Sequence, residues 1–147
     1  RYLLARIHHE NTKANEREEA RTLYSSVLKN HEEGRKKAEA RLRSPLDPDT
    51  KARLERLVRG PAPEHVARSN FYLGVLQYED GRFGEALAHF QAFEKLGPDA
   101  RLLPEARLRQ GFCLIQTKDP KNIDDGVKLL QALADKEADV SDQALFW

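Results

Sequence analysis

His8-His9-Glu10 sets imidazoles beside a carboxylate, as at the start of the His-Glu-x-x-His helix with which one class of proteases holds zinc. Lys13 stands where the second histidine would be needed, four positions after His9, so the group reads as two partly exposed histidines near a helix end. Ser26 and Lys29 have the spacing of a serine-lysine nucleophile, but neither companion motif of that chemistry follows. Glu18-Glu19 and Asp124-Asp125 are adjacent carboxylates; helical neighbours point to different faces, so neither pair makes a metal or acid/base dyad by itself. There is no glycine-rich phosphate loop, and His31, His65 and His89 are isolated. Cys113, the single cysteine, lies between Phe112 and Leu114 and reads as a buried small hydrophobe; no disulfide can form within the chain. An enzyme needs converging reactive groups, so the expectation is a chain with no catalytic residue, no cofactor and no metal.

The basic residues Arg35, Lys36, Lys37, Arg41, Arg43, Lys51, Arg53, Arg56 and Arg59 could grip phosphates. They are interrupted by Glu32, Glu33, Glu39 and Glu55 and lack interleaved aromatics for base stacking, so they read as a salt-bridged helix face. Nucleic acid is therefore not the expected partner, and an acidic protein is the intermediate possibility. Net charge over the 147 residues is only +1, so no global field points to nucleic acid or an anionic membrane. Residues 31–59 carry nine basic against six acidic side chains and residues 111–147 four against seven, differences that suit solvated faces. With 39% apolar and 33% charged residues, the chain can bury one core or several small ones in series. No stretch approaches 18 apolar residues and the start has no signal-peptide pattern, so no transmembrane segment is expected. The absence of an initiator methionine suggests that the gene product continues upstream, which leaves the compartment open.

The elements that position these residues are organised around residues 66–98. Val66 to Glu79 is apolar around most of its circumference, with Val66, Ala67, Phe71, Leu73, Val75, Leu76 and Tyr78, and predicts a helix covered on several sides. Phe83, Ala86, Leu87, Phe90 and Phe93 form a single stripe on a second helix. Asp80-Gly81 makes the turn between them, and Gly97-Pro98 ends the second helix. Gly74 costs roughly 0.5–1 kcal/mol relative to alanine in a helix interior, which is accounted for if a neighbouring helix crosses over it. Ala86 is the expected crossing partner.

In order, Leu73-Gly74, Tyr78, Gly81, Phe83, Ala86, Phe90 and Pro98 resemble the tetratricopeptide repeat (TPR), a helix-turn-helix unit of 34 residues. Two positions depart from the family pattern: Asn70 stands where a large aromatic is usual and Phe93 where alanine is usual. Weaker copies flank this unit. Residues 1–30 read as a partial repeat in which Ala5 matches Gly74, and Ala20 and Tyr24 match Ala86 and Phe90. Residues 31–65 are either a degenerate repeat with Ala40 and Ala52 as crossing residues, or a long second helix of the first unit plus an inserted helix. Asp47 is the expected N-cap of the segment from Pro48 to Arg59. Residues 103–139 read as a divergent repeat with Gly111 and Gly126 at its crossing, joined by a longer connection, Lys118 to Asn122. Ser141 or Asp142 could cap a further helix over 141–147, whose Leu145-Phe146-Trp147 would be exposed and could support self-association or continuation of the array.

The resemblance implies an all-α solenoid of antiparallel helix hairpins, wound as a right-handed superhelix, whose first helices line a concave face. Carried over position by position, that face comprises Arg68, Phe71, Val75, Tyr78 and Glu79, joined by Glu105, Leu108, Phe112, Ile115 and Gln116. Its implied service is non-catalytic: a scaffold binding a partner segment or complex subunit, as in TPR modules of bacterial envelope assembly lipoproteins and cell-division coordinators. The same resemblance slightly favours a bacterial cell-envelope (periplasmic) setting over a cytoplasmic one and leaves the compartment unassigned. The alternatives are a regulatory or positioning domain of a larger enzyme and, third, a nucleic-acid-binding repeat. Phe71 and Val75 stand where carboxylate-clamp TPRs carry lysine and asparagine, which argues against that subclass. The concave side chains could equally be covered by a neighbouring helix.

Overall fold

The computed structural model describes residues 1–10, 13–96 and 101–145, with side chains described as far as Lys136. Every regular element among them is a helix: α1 (Tyr2–Glu10), α2 (Ala14–Arg41), α3 (Pro48–Arg59), α4 (Glu64–Glu79), α5 (Phe83–Lys95), α6 (Leu103–Gln116) and α7 (Pro120–Leu145). The pairs α1–α2, α4–α5 and α6–α7 are hairpins, and each packs on the next through α2 against α4 and α5 against α6. Helix α3 contacts α2 and buries no residue of its own. The middle of the α5–α6 connection, residues 97–100 with Gly97-Pro98, and the terminal Phe146-Trp147 lie outside the described residues.

Helix α4 is covered on several sides, as an apolar surface around most of its circumference predicts. Phe71 and Val75 join Ala86, Phe90, Phe93, Ala106 and Cys113 in one core cluster, while Leu73 and Leu76 join Ala5, Ala20 and Tyr24 in another. The Phe71 ring is the hub of the first, with ring centroids of Tyr72, Phe93 and Phe90 at 5.2, 5.4 and 5.8 Å. Tyr24 stacks on Tyr72 at 5.9 Å and ties α2 to α4.

Small residues mark each crossing, with one correction. A Cβ on Gly74 would meet the Phe90 ring at 2.9 Å, so Phe90 and not Ala86 is what lies on Gly74. Ala86 is buried in the same core. The aromatic ring needs the missing side chain as a seat, whereas Ala86 alone would fill less of that space. In the last hairpin the backbones themselves touch: a Cβ on Gly126 would meet the carbonyl oxygen of Gly111 at 2.7 Å, and Leu130 covers Gly111. Ala5, Ala20 and Tyr24 are wholly buried at the first crossing.

Asn70 and Phe93, where the sequence differs from the pattern it resembles, have physical partners. Asn70 Oδ1 accepts from His89 Nδ1 at 3.0 Å, so a polar pair across α4 and α5 takes the place of a large aromatic. Phe93 is fully buried against Phe71.

Residues 31–65 follow the second of the two expectations. Helix α2 runs unbroken for 28 residues and α3 is an inserted helix, while Ala40 and Ala52, the crossing residues of the degenerate-repeat reading, are exposed. Gly34 does not break α2, and ion pairs at four-residue spacing (Lys29–Glu33, Lys36–Glu32, Arg35–Glu39) flank it. Asp47 caps α3 as expected, accepting from Thr50 N at 2.9 Å. The α6–α7 connection is shorter than anticipated, because Asp119 accepts from the backbone of Lys121 and Asn122 and starts α7 at Pro120. Nor does a new helix begin at 141: α7 continues to Leu145, and the sequence holds no glycine or proline from Val127 onward to stop it.

Contacts between hairpins are also polar. Arg17 donates to Glu79 at 2.7 Å, Arg21 pairs with Asp80, and Arg107 donates to Glu94 at 2.6 and 2.9 Å. The hydrogen bonds from Arg107 hold the Glu94 carboxyl below its ordinary range against the opposing effect of burial.

Glycine replacements separate tight from open sites. Gly34→Ala, with nothing within 4 Å of the new Cβ, is expected to stabilise by about 0.5–1 kcal/mol. Gly126→Ala and Gly74→Leu are expected to destabilise by about 1–3 kcal/mol, measured by urea unfolding. Equal effects at all three positions would contradict the crossings described. Burial lowers His89 below the ordinary imidazole range, with Glu85 opposing. The unfolded chain therefore takes up this proton first, and the stability present above about pH 6.5 is lost as pH falls through the folded value. Thermal melts from pH 7.5 to 5.5 should show a smaller loss for His89→Gln than for the parent.

Candidate functional site

Arg68, Tyr72 and Glu79 recur at spacings of four and seven, which puts them on one stripe of α4. Its neighbours come from the first helices of the other hairpins. The guanidinium of Arg6, on α1, lies 3.9 Å from the centroid of Tyr72, and that of Arg109, on α6, lies 5.4 Å from the centroid of Tyr78. Such stacks contribute about 0.5–1 kcal/mol at exposed sites. A carboxylate one turn away orients each arginine: Glu10 for Arg6 at 2.9 Å, Glu105 for Arg109 at 2.8 Å, and Glu64 for Arg68.

The expected concave residues divide into two groups. Phe71 and Val75 are only 2% and 8% exposed, because both point into the core between α4, α5 and α6. They therefore support the face from beneath. Ile115 is half-buried, packed near Gly126. Tyr78 is half-buried with its edge against Phe83 at 5.4 Å, and Glu79 is committed to Arg17. Leu108 and Phe112 remain at the surface, one helical turn apart and 43% and 42% exposed. Glu105 and Gln116 are exposed beside them.

Arg6, Tyr72 and Arg109 were not among the sequence candidates. The four-residue step from Arg68 to Tyr72, and from Glu105 to Arg109, was available as a signal. Nothing local marked Arg6, which meets Tyr72 across 66 positions of chain. Behind them His9 packs edge-on to Tyr24 and Tyr72, with its Nδ1 3.2 Å from the Tyr24 hydroxyl. Burial lowers the His9 pKa and raises that of Tyr24, so both stay neutral near pH 7.

The nucleophiles have ordinary surroundings. Ser26 Oγ accepts from Arg1 Nη1 at 2.8 Å, and burial pushes the Cys113 thiol up to about 11. Among the described residues one group could hold a metal ion, His8 with Glu16 and Glu19 at the α1–α2 connection. No helix of the described residues is long and apolar enough to cross a membrane. Compared with known proteins, the chain matches no family model, no curated protein and no solved structure.

Truncation separates the support from the surface. Phe71→Ala is expected to cost about 3–5 kcal/mol of stability. Phe112→Ser should cost under about 1 kcal/mol, as exposed positions do. Chemical denaturation of the two variants checks this, and similar losses would place Phe112 in the core.

Proposed function

We propose that the chain is a TPR-like array serving as a non-catalytic scaffold, which binds a segment of a partner protein along the face formed by α1, α4 and α6. Three helix hairpins with small residues at their crossings support the array reading, as does packing of each hairpin on its neighbour in chain order. The observation that carries the binding reading is the pair Leu108 and Phe112. Two large apolar side chains lie outward one turn apart, beside the Arg109–Tyr78 stack, where a partner could bury them.

This combination suits a helical or extended segment with apolar anchors and acidic groups at its margin. Apolar contact would supply most of the affinity. The arginines, already oriented by Glu10, Glu64 and Glu105, would set register more than strength. Phe71 and Val75 contribute by holding α4 rigid under the stripe.

The test is photo-crosslinking from an unnatural residue at position 112 in cells expressing the full-length protein. Capture of one foreign protein, lost when Leu108 is also changed to Ser, is the expected result. Crosslinks confined to residues 1–147 would mean that the face is covered internally and would overturn the proposal.

A further inference from the structure

His8, Glu16 and Glu19 converge where α1 gives way to α2. Glu16 and Glu19 lie three positions apart, on one face of α2, and His8 reaches them from the last turn of α1. The ring uses both nitrogens: Nδ1 contacts the Glu16 carboxylate, and Nε2 lies 3.8 Å from Glu19 Oε1. One ligand atom from each residue falls within 4.8 Å of the other two. His8 and Glu16 are mostly covered, whereas Glu19 is open to solvent.

The charge around this group is unbalanced. Arg6 pairs with Glu10, Arg17 with Glu79 and Asp80, and Arg21 with Glu18 and Asp80. Among the described residues no lysine or arginine forms an ion pair with Glu16 or Glu19. Two carboxylates therefore approach the two nitrogens of one imidazole, with no lysine or arginine paired to either.

We propose that His8, Glu16 and Glu19 bind a divalent transition-metal ion of the zinc class, which fastens α1 to α2. One imidazole nitrogen and one oxygen from each carboxylate supply three ligands at about 2.0–2.2 Å, and water supplies the fourth. Bonds of that length set donor atoms about 3.3 Å apart in a tetrahedron, so small side-chain rotations close the observed spacing. The two carboxylates neutralise the ion, and any proton on the ligating nitrogen leaves to solvent. Magnesium fits poorly, because it favours an octahedral, oxygen-only and largely hydrated sphere. Since α1 also carries Arg6 and His9 over Tyr72, the ion would hold one edge of the α1–α4–α6 face.

The test uses the intact protein after removal of metal by chelation, titrated with zinc, magnesium and cobalt(II). Zinc should raise the melting temperature by several degrees, with magnesium without effect, and cobalt(II) should give visible ligand-field absorption of a low-symmetry site. His8→Gln and Glu19→Gln should each weaken zinc binding at least about tenfold, while His65→Gln should not. The Glu19 change lies on an exposed helix position, so its fold survives independently of the result. No thermal shift with zinc would overturn the proposal and leave the cluster as an ion pair only. A shift retained in both His8→Gln and Glu19→Gln would overturn it too, because the ion would then be binding elsewhere.

Discussion

The seating of the Phe90 ring on Gly74 is the contact on which the rest of the structure depends. A glycine in the middle of α4 weakens the helix, yet only its bare backbone lets the ring approach to van der Waals distance. That closeness brings Phe71 between Phe90 and Phe93 and makes α4 and α5 a single packed unit. Once α5 covers one side of α4, the remaining apolar surface of α4 must be covered from elsewhere. Helix α2 does so with Tyr24 and Ala20, and α6 with Ala106 and Cys113. The hairpins before and after are therefore held by the needs of the central helix.

The same packing explains why the face of α1, α4 and α6 has little relief over α4. Burial of Phe71 and Val75 leaves Tyr72 and Tyr78 as its outer layer, and tyrosines present a flat surface on which Arg6 and Arg109 lie. Large apolar side chains stand out on the helices to either side, Leu3 and Ile7 on α1 and Leu108 and Phe112 on α6. Polar clips at the ends, Arg17 and Arg21 onto Glu79 and Asp80 and Arg107 onto Glu94, fix the rotation between neighbouring hairpins. Apolar contacts alone would leave that rotation loosely defined, because hydrophobic burial is non-directional.

Much of the fold was written in local pattern. The three- and four-residue spacing of apolar side chains marked the helices, Asp80-Gly81 and Asp47-Pro48 marked a turn and a helix start, and Gly74, Gly111 and Gly126 marked close approaches. These are properties of single helices and their ends, so the sequence determines them by itself. What it did not determine was which side chain uses the space a glycine leaves. Phe90 and Ala86 lie on the same stripe, and only the packing of α5 against α4 selects the ring. Residues 31–65 posed the same difficulty: Ala40 and Ala52 could be read as crossing residues of a repeat, whereas α2 runs on through Gly34 with Ala38 buried and ion pairs flanking the glycine.

The residues of the candidate face divide along the same line. Sequence placed Arg68, Phe71, Val75, Tyr78, Leu108, Phe112 and Ile115 on first helices, but periodicity cannot say how much of a helix is covered when several neighbours compete for it. Tertiary structure took Phe71 and Val75 into the core, left Leu108 and Phe112 outside, and brought Arg6 to Tyr72 and His8 to Glu16 and Glu19. The reason is one of range. Helix propensity, capping and apolar spacing act within a few residues, whereas burial and side-chain convergence depend on distances between elements far apart in the chain, and those exist only once the helices have packed.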